Sequence, residues 1–238
     1  MHDHAPAPAP EPTPVPAVPL TLHFVRHGKT VFNTTGRVQG SSDSPLTAEG
    51  REVVRRTARM LADIPFVAAY TSPLGRTLQT SELLLAQHPE DVPLTPVDDL
   101  RELGFGVYEG GPEPTIEEIR DAGGDFFTAI KTGDHSAVVT PPEGEELDDF
   151  LTRLRRGVAT IVERHPEGGD VLVVSHGGAI AAWLMLAERD GAPGPTADPT
   201  TLLPNASVSI VRYDGGDVPE ILVVGATEAE DVERARRA

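Results

Sequence analysis

Two short apolar runs, far apart in the chain, each end in histidine followed by glycine, and this repeated ending constrains the fold strongly. The run Leu22–Val25 leads into Arg26-His27-Gly28, and the run Val171–Val174 leads into Ser175-His176-Gly177. Short runs of strand-forming residues followed by turn formers are typical of buried β-strands. If the two strands are parallel neighbours, both histidines lie at one edge of the sheet, where open α/β sheets bind ligands. Packing alone does not require histidine at either position, so the pattern indicates a shared functional site.

Composition narrows the class of protein. The chain has 238 residues, 39% hydrophobic and 24% charged, which is typical of one soluble domain with a sizeable core. The absence of cysteine excludes disulfides, thiolate metal sites and cysteine nucleophiles. A net charge of −17 argues against nucleic-acid and anionic membrane partners. No run approaches the roughly 18 apolar residues of a membrane helix. We therefore expect a cytoplasmic protein, monomeric or homodimeric, without nucleic-acid or membrane partners.

The chain divides into three segments. Residues 1–19 alternate proline with alanine and valine and have no basic start or continuous apolar core, which predicts a disordered arm rather than a secretory signal. His2-Asp3-His4 on this arm is expected to be solvated rather than metal-bound. Residues 20–225 form the predicted domain, with an irregular insertion at 110–144. Residues 226–238 are predicted to be a charged, frayed tail with some helical tendency.

Strand and helix signals alternate through the domain. Further strands are predicted at residues 66–71, 94–97, 207–213 and 220–224. Helices are predicted at 48–61 after a Thr47 cap, from Ser72 as the cap with Pro73 at the first position, and at 115–121, 126–131, 145–165 and 179–187. This order predicts an α/β fold with a mostly parallel central sheet, helices on both faces, a late antiparallel hairpin, and a small helical or loop insertion over the active site.

Five side chains are candidates for one pocket: Arg26, His27, Arg76, His176 and either Glu102 or Glu109. A metal site could use the histidines and a carboxylate, but two arginines would repel the cation, and no tight ligand cluster is evident. An anion pocket accommodates all five groups, because arginine forks match phosphate oxygens. Thr30, Asn33 and Gln39 could fill the remaining acceptors.

A phosphate pocket containing histidine favours covalent catalysis. A neutral imidazole can attack phosphorus while the arginines stabilise the phosphoryl oxygens. A carboxylic acid would protonate the leaving oxygen and later activate water. The positive charge would come from the protein, so no metal or cofactor is predicted.

Four dispersed motifs, taken together, resemble the histidine phosphatase superfamily, also called phosphoglycerate mutase-like. The resemblance covers roughly residues 20–224. Arg26-His27-Gly28 resembles its first signature, which continues through Thr30, Asn33, Gln39-Gly40 and Pro45-Leu46-Thr47. The later motifs are Ser72–Thr80 for the second arginine, Leu100–Glu102 with Phe105-Gly106 and Glu109-Gly110 for the acid, and Ser175–Gly178 for the second histidine.

The resemblance implies a role for each matching residue. His27 would be the nucleophile, and Glu102 the proton donor and later the base. Arg26, Arg76 and His176 would hold the phosphoryl group, with His176 protonated in the transition state. The residues implied to line the phosphate are Gly28, Thr30, Asn33, Gln39, Gly40 and Gly177. Glu109 would cap a loop or pair with an arginine.

The predicted function is metal-independent hydrolysis of a small phosphorylated metabolite, in the phosphatase branch. The alternative is a 2,3-bisphosphoglycerate-dependent phosphoglycerate mutase, but the mutases carry a longer basic segment, and residues 110–144 contain only Arg120 and Lys131 as basic residues. Gly144-Glu145 resembles the Gly-Glu-Ser stretch of the phosphatases, with Glu146 where serine is usual. A catalytically silent binding module for phosphorylated ligands is a third alternative, which the presence of all five pocket residues disfavours.

Overall fold

Six strands form one sheet in this computed structural model, which describes residues 18–112, 126–136, 138–197 and 203–237. The strands are β1 (Leu20–Arg26), β2 (Phe66–Thr71), β3 (Leu94–Pro96), β4 (Gly169–Ser175), β5 (Val208–Tyr213) and β6 (Glu220–Ala226). Their order across the sheet is β3-β2-β4-β1-β5-β6.

The sheet is parallel over four strands and ends in an antiparallel hairpin. Strands β3, β2, β4 and β1 are parallel, β5 is antiparallel to β1, and β6 is antiparallel to β5. This arrangement confirms the predicted mostly parallel sheet. In the β1–β4 pair Arg26 lies opposite Ser175. The register therefore brings the two His-Gly endings to the same edge.

Helices cover both faces of the sheet, as predicted. They are α1 (Val31–Thr34), α2 (Ala48–Leu61), α3 (Gly75–Leu85), α4 (Phe126–Thr132), α5 (Leu147–Glu163), α6 (Gly177–Arg189) and α7 (Ala229–Arg237), with short 3-10 turns at Asp98–Leu100 and Gly106–Tyr108. Side chains alternate across a strand. Val171 and Val173 of β4 accordingly join the core with α4, α5 and α6, whereas Leu172 and Val174 join the core with α2, α3 and α7.

Three helix starts differ from the prediction, and one of them is α5, which was predicted from residue 145 and begins at Leu147. The cap predicted at Ser72 is wrong: Leu74 is the N-cap residue of α3, without a side-chain cap hydrogen bond. The helix predicted to begin at Ala179 begins at Gly177, directly after His176. Glycine is the least helix-favouring residue after proline, and for this reason the prediction began the helix two residues after its actual start.

The C-terminal residues expected to be frayed form α7 instead. Val232 and Ala235 on this helix are 1% and 5% exposed and pack in the α2–α3 core. The arginines of its last turn also lie at the helix end that favours positive charge. A short apolar stripe thus docks a segment whose composition is otherwise charged.

Some predictions concern residues that the structure does not describe. The arm lies outside the described residues except for 18–19, and so does the predicted helical piece at 115–121. In the insertion, α4 is present as predicted and contacts α6. Among the described residues, no helix is both long and apolar enough to cross a membrane.

Candidate active site

The two histidines lie together at the edge where β1 and β4 end. The His27 backbone N–H donates to the Ser175 carbonyl oxygen at 2.9 Å, which ties the two strand ends. The ring centroids of His27 and His176 are 5.4 Å apart, with an interplanar angle of 60°. Both rings are buried. The proximity expected from two His-Gly strand endings is present.

The His27 ring has a defined tautomer. Its Nδ1 lies 2.9 Å from the carbonyl oxygen of Gly28, and a carbonyl can only accept, so the proton is on Nδ1. Burial, together with the charges of Arg26 and Arg76, holds the pKa of His27 well below its ordinary value. The imidazole is therefore neutral, with its lone pair on Nε2.

Two arginines lie beside the histidines, Arg76 fully buried and Arg26 partly buried. Arg76, the second residue of α3, is 0% exposed and donates to the carbonyl oxygens of Ser42 (2.9 Å) and Gly40 (2.8 Å) and to the Asp43 carboxylate (3.1 Å). Arg26 donates to the Leu203 carbonyl oxygen. Burial lowers the pKa of Arg26 to about 10, which leaves it charged at neutral pH, and burial also lowers the pKa of Arg76 against the opposing effect of the Asp43 carboxylate.

Both guanidinium groups keep a donor for an anion. The Nε atoms of Arg26 and Arg76 are buried and have no hydrogen-bond partner among the described residues. A buried, charged N–H without an acceptor is unfavourable, and such groups in native proteins are nearly always satisfied. The pair is suited to an anionic ligand.

Glu102 provides a carboxyl group beside these cations. It is 9% exposed, and its two oxygens accept from the backbone N–H groups of Leu103 (3.1 Å) and Gly178 (2.8 Å). Burial raises the pKa of Glu102, against the opposing effects of these N–H groups and of Arg76 and Arg26. A raised pKa favours the protonated acid.

Glu109 has a different environment, which matches the loop-capping alternative. One of its carboxylate oxygens accepts from the N–H groups of Ser41 (2.8 Å) and Phe105 (3.0 Å), and the other accepts from Ser42 N–H. Glu109 thus fixes the backbone whose carbonyl oxygens hold Arg76.

His176 contacts Ser72, which was predicted to cap α3. Its Nε2 lies 2.8 Å from the Ser72 hydroxyl, which explains why Ser72 does not cap α3. Burial and neighbouring positive charges hold the pKa of His176 well below its ordinary value. The ring is therefore neutral, and the protonated form implied for the transition state would need the negative charge of a phosphoryl group.

Three of the residues predicted to line the phosphate, Thr30, Asn33 and Gln39, contact one another at the start of α1. Thr30 caps α1 and is fully buried, its hydroxyl 2.8 Å from Gln39 Oε1, while the Gln39 Nε2 has no partner among the described residues. The Asn33 side chain accepts from Thr30 N–H and lies 3.4 Å from the amide of Asn205. Lining by these three residues stays a prediction.

The glycines allow close approach. A Cβ on Gly40 would lie 2.2 Å from the Leu103 carbonyl oxygen, and one on Gly177 would lie 3.0 Å from Arg26 Nε. A Cβ on Gly28 would lie 2.6 Å from Val54 Cγ2. The loops can pack against the arginines and α2 only because these side chains are missing.

Several residues that make hydrogen bonds to the site residues, or to the loops that carry them, were not predicted from the sequence. They are Asp43, Ser72, Thr80, Arg153 and Asn205. The Thr80 hydroxyl, for example, donates to the Arg76 carbonyl oxygen at 2.7 Å and accepts from Gly28 N–H at 3.0 Å, which couples α3 to the loop after β1. Arg153 alone gave a readable signal, as a charge inside the apolar stripe of α5.

No three histidine, aspartate or glutamate side chains in the described part of the chain are grouped so that they could hold a metal ion. The fold is α/β, and at one edge of its sheet it brings together paired histidines and arginines, an arrangement of charge that suits an anion.

Comparison with known proteins agrees with this description and identifies the family. The family model of the histidine phosphatase superfamily (branch 1) matches residues 22–226, and the chain belongs to this family. Members of the superfamily are phosphatases and mutases, so the chain is an enzyme.

Named relatives fall on both sides of that division. A relative from Enterobacter sp., called "Probable phosphoglycerate mutase GpmB", is 32% identical over 194 residues, covering 82% of this chain and 85% of the relative. The structure of a phosphoglycerate mutase from Bacillus anthracis has a TM-score of 0.72 and 30% identity, covering 92% of this chain and 97% of the other. The α-ribazole phosphatase from Shigella flexneri has a TM-score of 0.68 and 25% identity, covering 87% and 97%.

Proposed function

We propose that this protein is a metal-independent phosphomonoesterase that hydrolyses a small phosphorylated metabolite through a phosphohistidine on His27. The observation that carries the proposal is the neutral His27 ring beside the charges of Arg26 and Arg76, with its Nδ1–H bound to the Gly28 carbonyl oxygen and its Nε2 lone pair available. The charge of these arginines matches a phosphoryl group.

In the first step, His27 Nε2 attacks phosphorus, and the bond between phosphorus and the leaving oxygen breaks. The leaving oxygen takes its electron pair and receives the proton of Glu102. Arg26, Arg76 and His176 stabilise the phosphoryl oxygens as charge redistributes. The products of this step are the free alcohol, phosphohistidine and the Glu102 carboxylate.

In the second step, the Glu102 carboxylate removes a proton from water, and the water oxygen attacks phosphorus. The bond between Nε2 and phosphorus breaks, and its electron pair returns to the imidazole. Phosphate leaves, Glu102 is again protonated, and His27 is again neutral. Glu102 is thus acid and base in turn.

Hydrolysis is favoured over mutase activity by the chemistry of the insertion. A mutase must hold a second anionic group of its substrate and keep water from the phosphoenzyme. Of the two basic residues in the segment 110–144, Arg120 lies outside the described residues. The other, Lys131, lies 4.0 Å from the carboxylate of Glu188. Seven acidic residues in the same segment disfavour a second anionic group there.

The mutase remains the second candidate, because relatives carry that name. Glu146, which stands where the phosphatase branch has serine, also accepts a hydrogen bond from the Thr140 hydroxyl rather than from Arg26 or Arg76. Among the described residues no hydrogen bond joins Glu146 to either arginine, so glutamate at this position does not by itself argue against hydrolysis.

Product partition separates the two activities. The purified protein is incubated with 3-phosphoglycerate and 2,3-bisphosphoglycerate and followed by phosphorus NMR, with His27→Gln as the inactive control. We expect free phosphate as the main product. Rapid interconversion of 2- and 3-phosphoglycerate with little free phosphate would establish the mutase instead. Failure of the wild type to release phosphate from a panel of phosphorylated metabolites would favour the silent binding module.

A further inference from the structure

The buried face of α5 contains one charged side chain, Arg153. It is 7% exposed and lies in the same stripe as Phe150, Leu154 and Gly157, all of which are buried. Its guanidinium carbon is 4.9 Å from the centre of the Phe150 ring. A charge is rarely buried without partners that compensate for lost water, so this position calls for a specific set of acceptors.

Those acceptors belong to the segment that carries Glu102. The Arg153 guanidinium donates to the backbone carbonyl oxygens of Asp99 (3.0 Å), Arg101 (2.7 Å) and Glu102 (2.8 Å). It also makes a two-pronged pair with the Glu145 carboxylate, with Nε–Oε1 at 2.5 Å and Nη2–Oε2 at 2.7 Å. One side chain thus satisfies three carbonyl groups within four residues.

Glu145 completes the attachment from the other side. Its carboxylate accepts from Gly104 N–H at 3.3 Å, and its own backbone N–H donates to the Gly104 carbonyl oxygen at 2.9 Å. Residues 101–105 belong to no strand or helix, so their backbone groups have no regular partners. The backbone around Glu102 is therefore fixed mainly by a charged pair whose arginine lies on α5.

We propose that Arg153, together with Glu145, is a positioning residue that sets the Glu102 carboxyl group against the oxygen of the leaving group. This inference rests on the proposed function, in which Glu102 protonates that oxygen. In this proposal neither side chain touches the phosphoryl group. Their effect is transmitted through the carbonyl oxygen of Glu102 and the backbone on both sides of it.

The consequence depends on the leaving group. An alkoxide is a poor leaving group and needs the proton of Glu102, whereas p-nitrophenolate is a stable anion and leaves without it. The parameter kcat/KM covers steps up to release of the alcohol, so it excludes the later base role of Glu102. Displacing Glu102 should therefore lower kcat/KM for alkyl phosphates selectively.

The variants Arg153→Lys and Glu145→Gln test this selectivity. Lysine cannot reproduce the fork that spans three carbonyl oxygens, and glutamine weakens the pair while nearly keeping its shape. Arg156→Lys is the matched control. Arg156 lies on the same helix and makes a two-pronged pair with the Asp99 carboxylate, at 2.8 and 2.6 Å. Its side chain is, however, 63% exposed and does not contact the Glu102 carbonyl oxygen.

The measurement is kcat/KM for β-glycerol phosphate and for p-nitrophenyl phosphate, with thermal unfolding of each variant. Misplacement of a catalytic group by about 1 Å can lower a rate about 100-fold. We expect a loss of about this size for β-glycerol phosphate, a loss below about threefold for p-nitrophenyl phosphate, and near wild-type values for Arg156→Lys.

Equal losses on both substrates, or no loss on either, would overturn the positioning role. Equal losses with a lowered melting temperature would show that the pair is only structural. If the first variant does not fold, Glu145→Gln provides the same comparison. Failure of the proposed function itself would be distinct, because the wild type would then hydrolyse neither substrate.

Discussion

Glu102 and Glu109 lie on one loop system, and replacing each by glutamine should separate catalysis from stability. Glu102 lies beside the arginines with a raised pKa, whereas Glu109 binds three backbone N–H groups. An amide cannot donate a proton to an alkoxide as a carboxylic acid does. Glu102→Gln should therefore slow the reaction, and Glu109→Gln should mainly weaken the loop.

The magnitudes follow from these contacts. General acid–base catalysis contributes about 10²–10⁴-fold, so Glu102→Gln should lower kcat/KM for an alkyl phosphate by about that factor. In Glu109→Gln the new amide group cannot accept from one of the N–H groups. A hydrogen bond to a charged group contributes about 1.5–3 kcal/mol, which gives a loss of about 2 kcal/mol. In a domain of this size that corresponds to a melting temperature lower by about 4–8 °C.

The assay measures kcat/KM for β-glycerol phosphate and thermal unfolding on the same preparations. We expect Glu109→Gln to retain activity within a few fold of the wild type while melting earlier, and Glu102→Gln to be nearly inactive at a temperature where it is folded. If Glu109→Gln lost as much activity as Glu102→Gln at a temperature where both are folded, the assignment of the acid to Glu102 would be refuted.

Three further outcomes follow from the geometry. The active form has a neutral His27, whose pKa is lowered, and a protonated Glu102, whose pKa is raised. The value of kcat/KM for an alkyl phosphate should therefore not fall as the pH drops through 6.5, and it should fall as the pH rises above the pKa of Glu102. Activity that instead rises with pH through 6.5 would contradict these protonation states. Turnover should survive EDTA, because arginines supply the positive charge, and recovery only on addition of a divalent cation would contradict this. Gly178→Ala would place a Cβ 2.7 Å from Glu102 Oε1, so kcat/KM for an alkyl phosphate should fall while the melting temperature stays near that of the wild type; unchanged activity would show that Glu102 tolerates displacement.

The sequence predicts the strands and the paired site because both follow from local patterns. An apolar run that ends in His-Gly can be recognised from the sequence alone. Two such runs indicate adjacent parallel strands, and the register that places Arg26 opposite Ser175 confirms this arrangement. The position of Arg76 follows from a helix start near the end of β2. Even with that start shifted from Ser72 to Leu74, Arg76 stays in the first turn.

The missed features depend on contacts between distant residues. Serine is a residue type that often caps helices, and only the fold shows that the Ser72 hydroxyl contacts His176 instead. Arg153 can be noticed in the sequence as a charge within an apolar stripe, but the backbone carbonyl groups that accept its hydrogen bonds lie about 50 residues away in the chain. The helix α7 is docked by Val232 and Ala235, which pack in the core beside α2 and α3. The charged composition of this segment does not reveal that contact.

The central claim is that His27 carries the phosphoryl group, and rapid-quench trapping tests it most directly. Wild-type protein is mixed with p-nitrophenyl phosphate, quenched within the first turnovers and digested for mass spectrometry, with His27→Ala as the control. The mechanism predicts an acid-labile, alkali-stable phosphoryl group on the peptide that contains His27, and neither that adduct nor turnover in the variant. Full activity in His27→Ala, or a phosphoryl group on His176, would contradict the account.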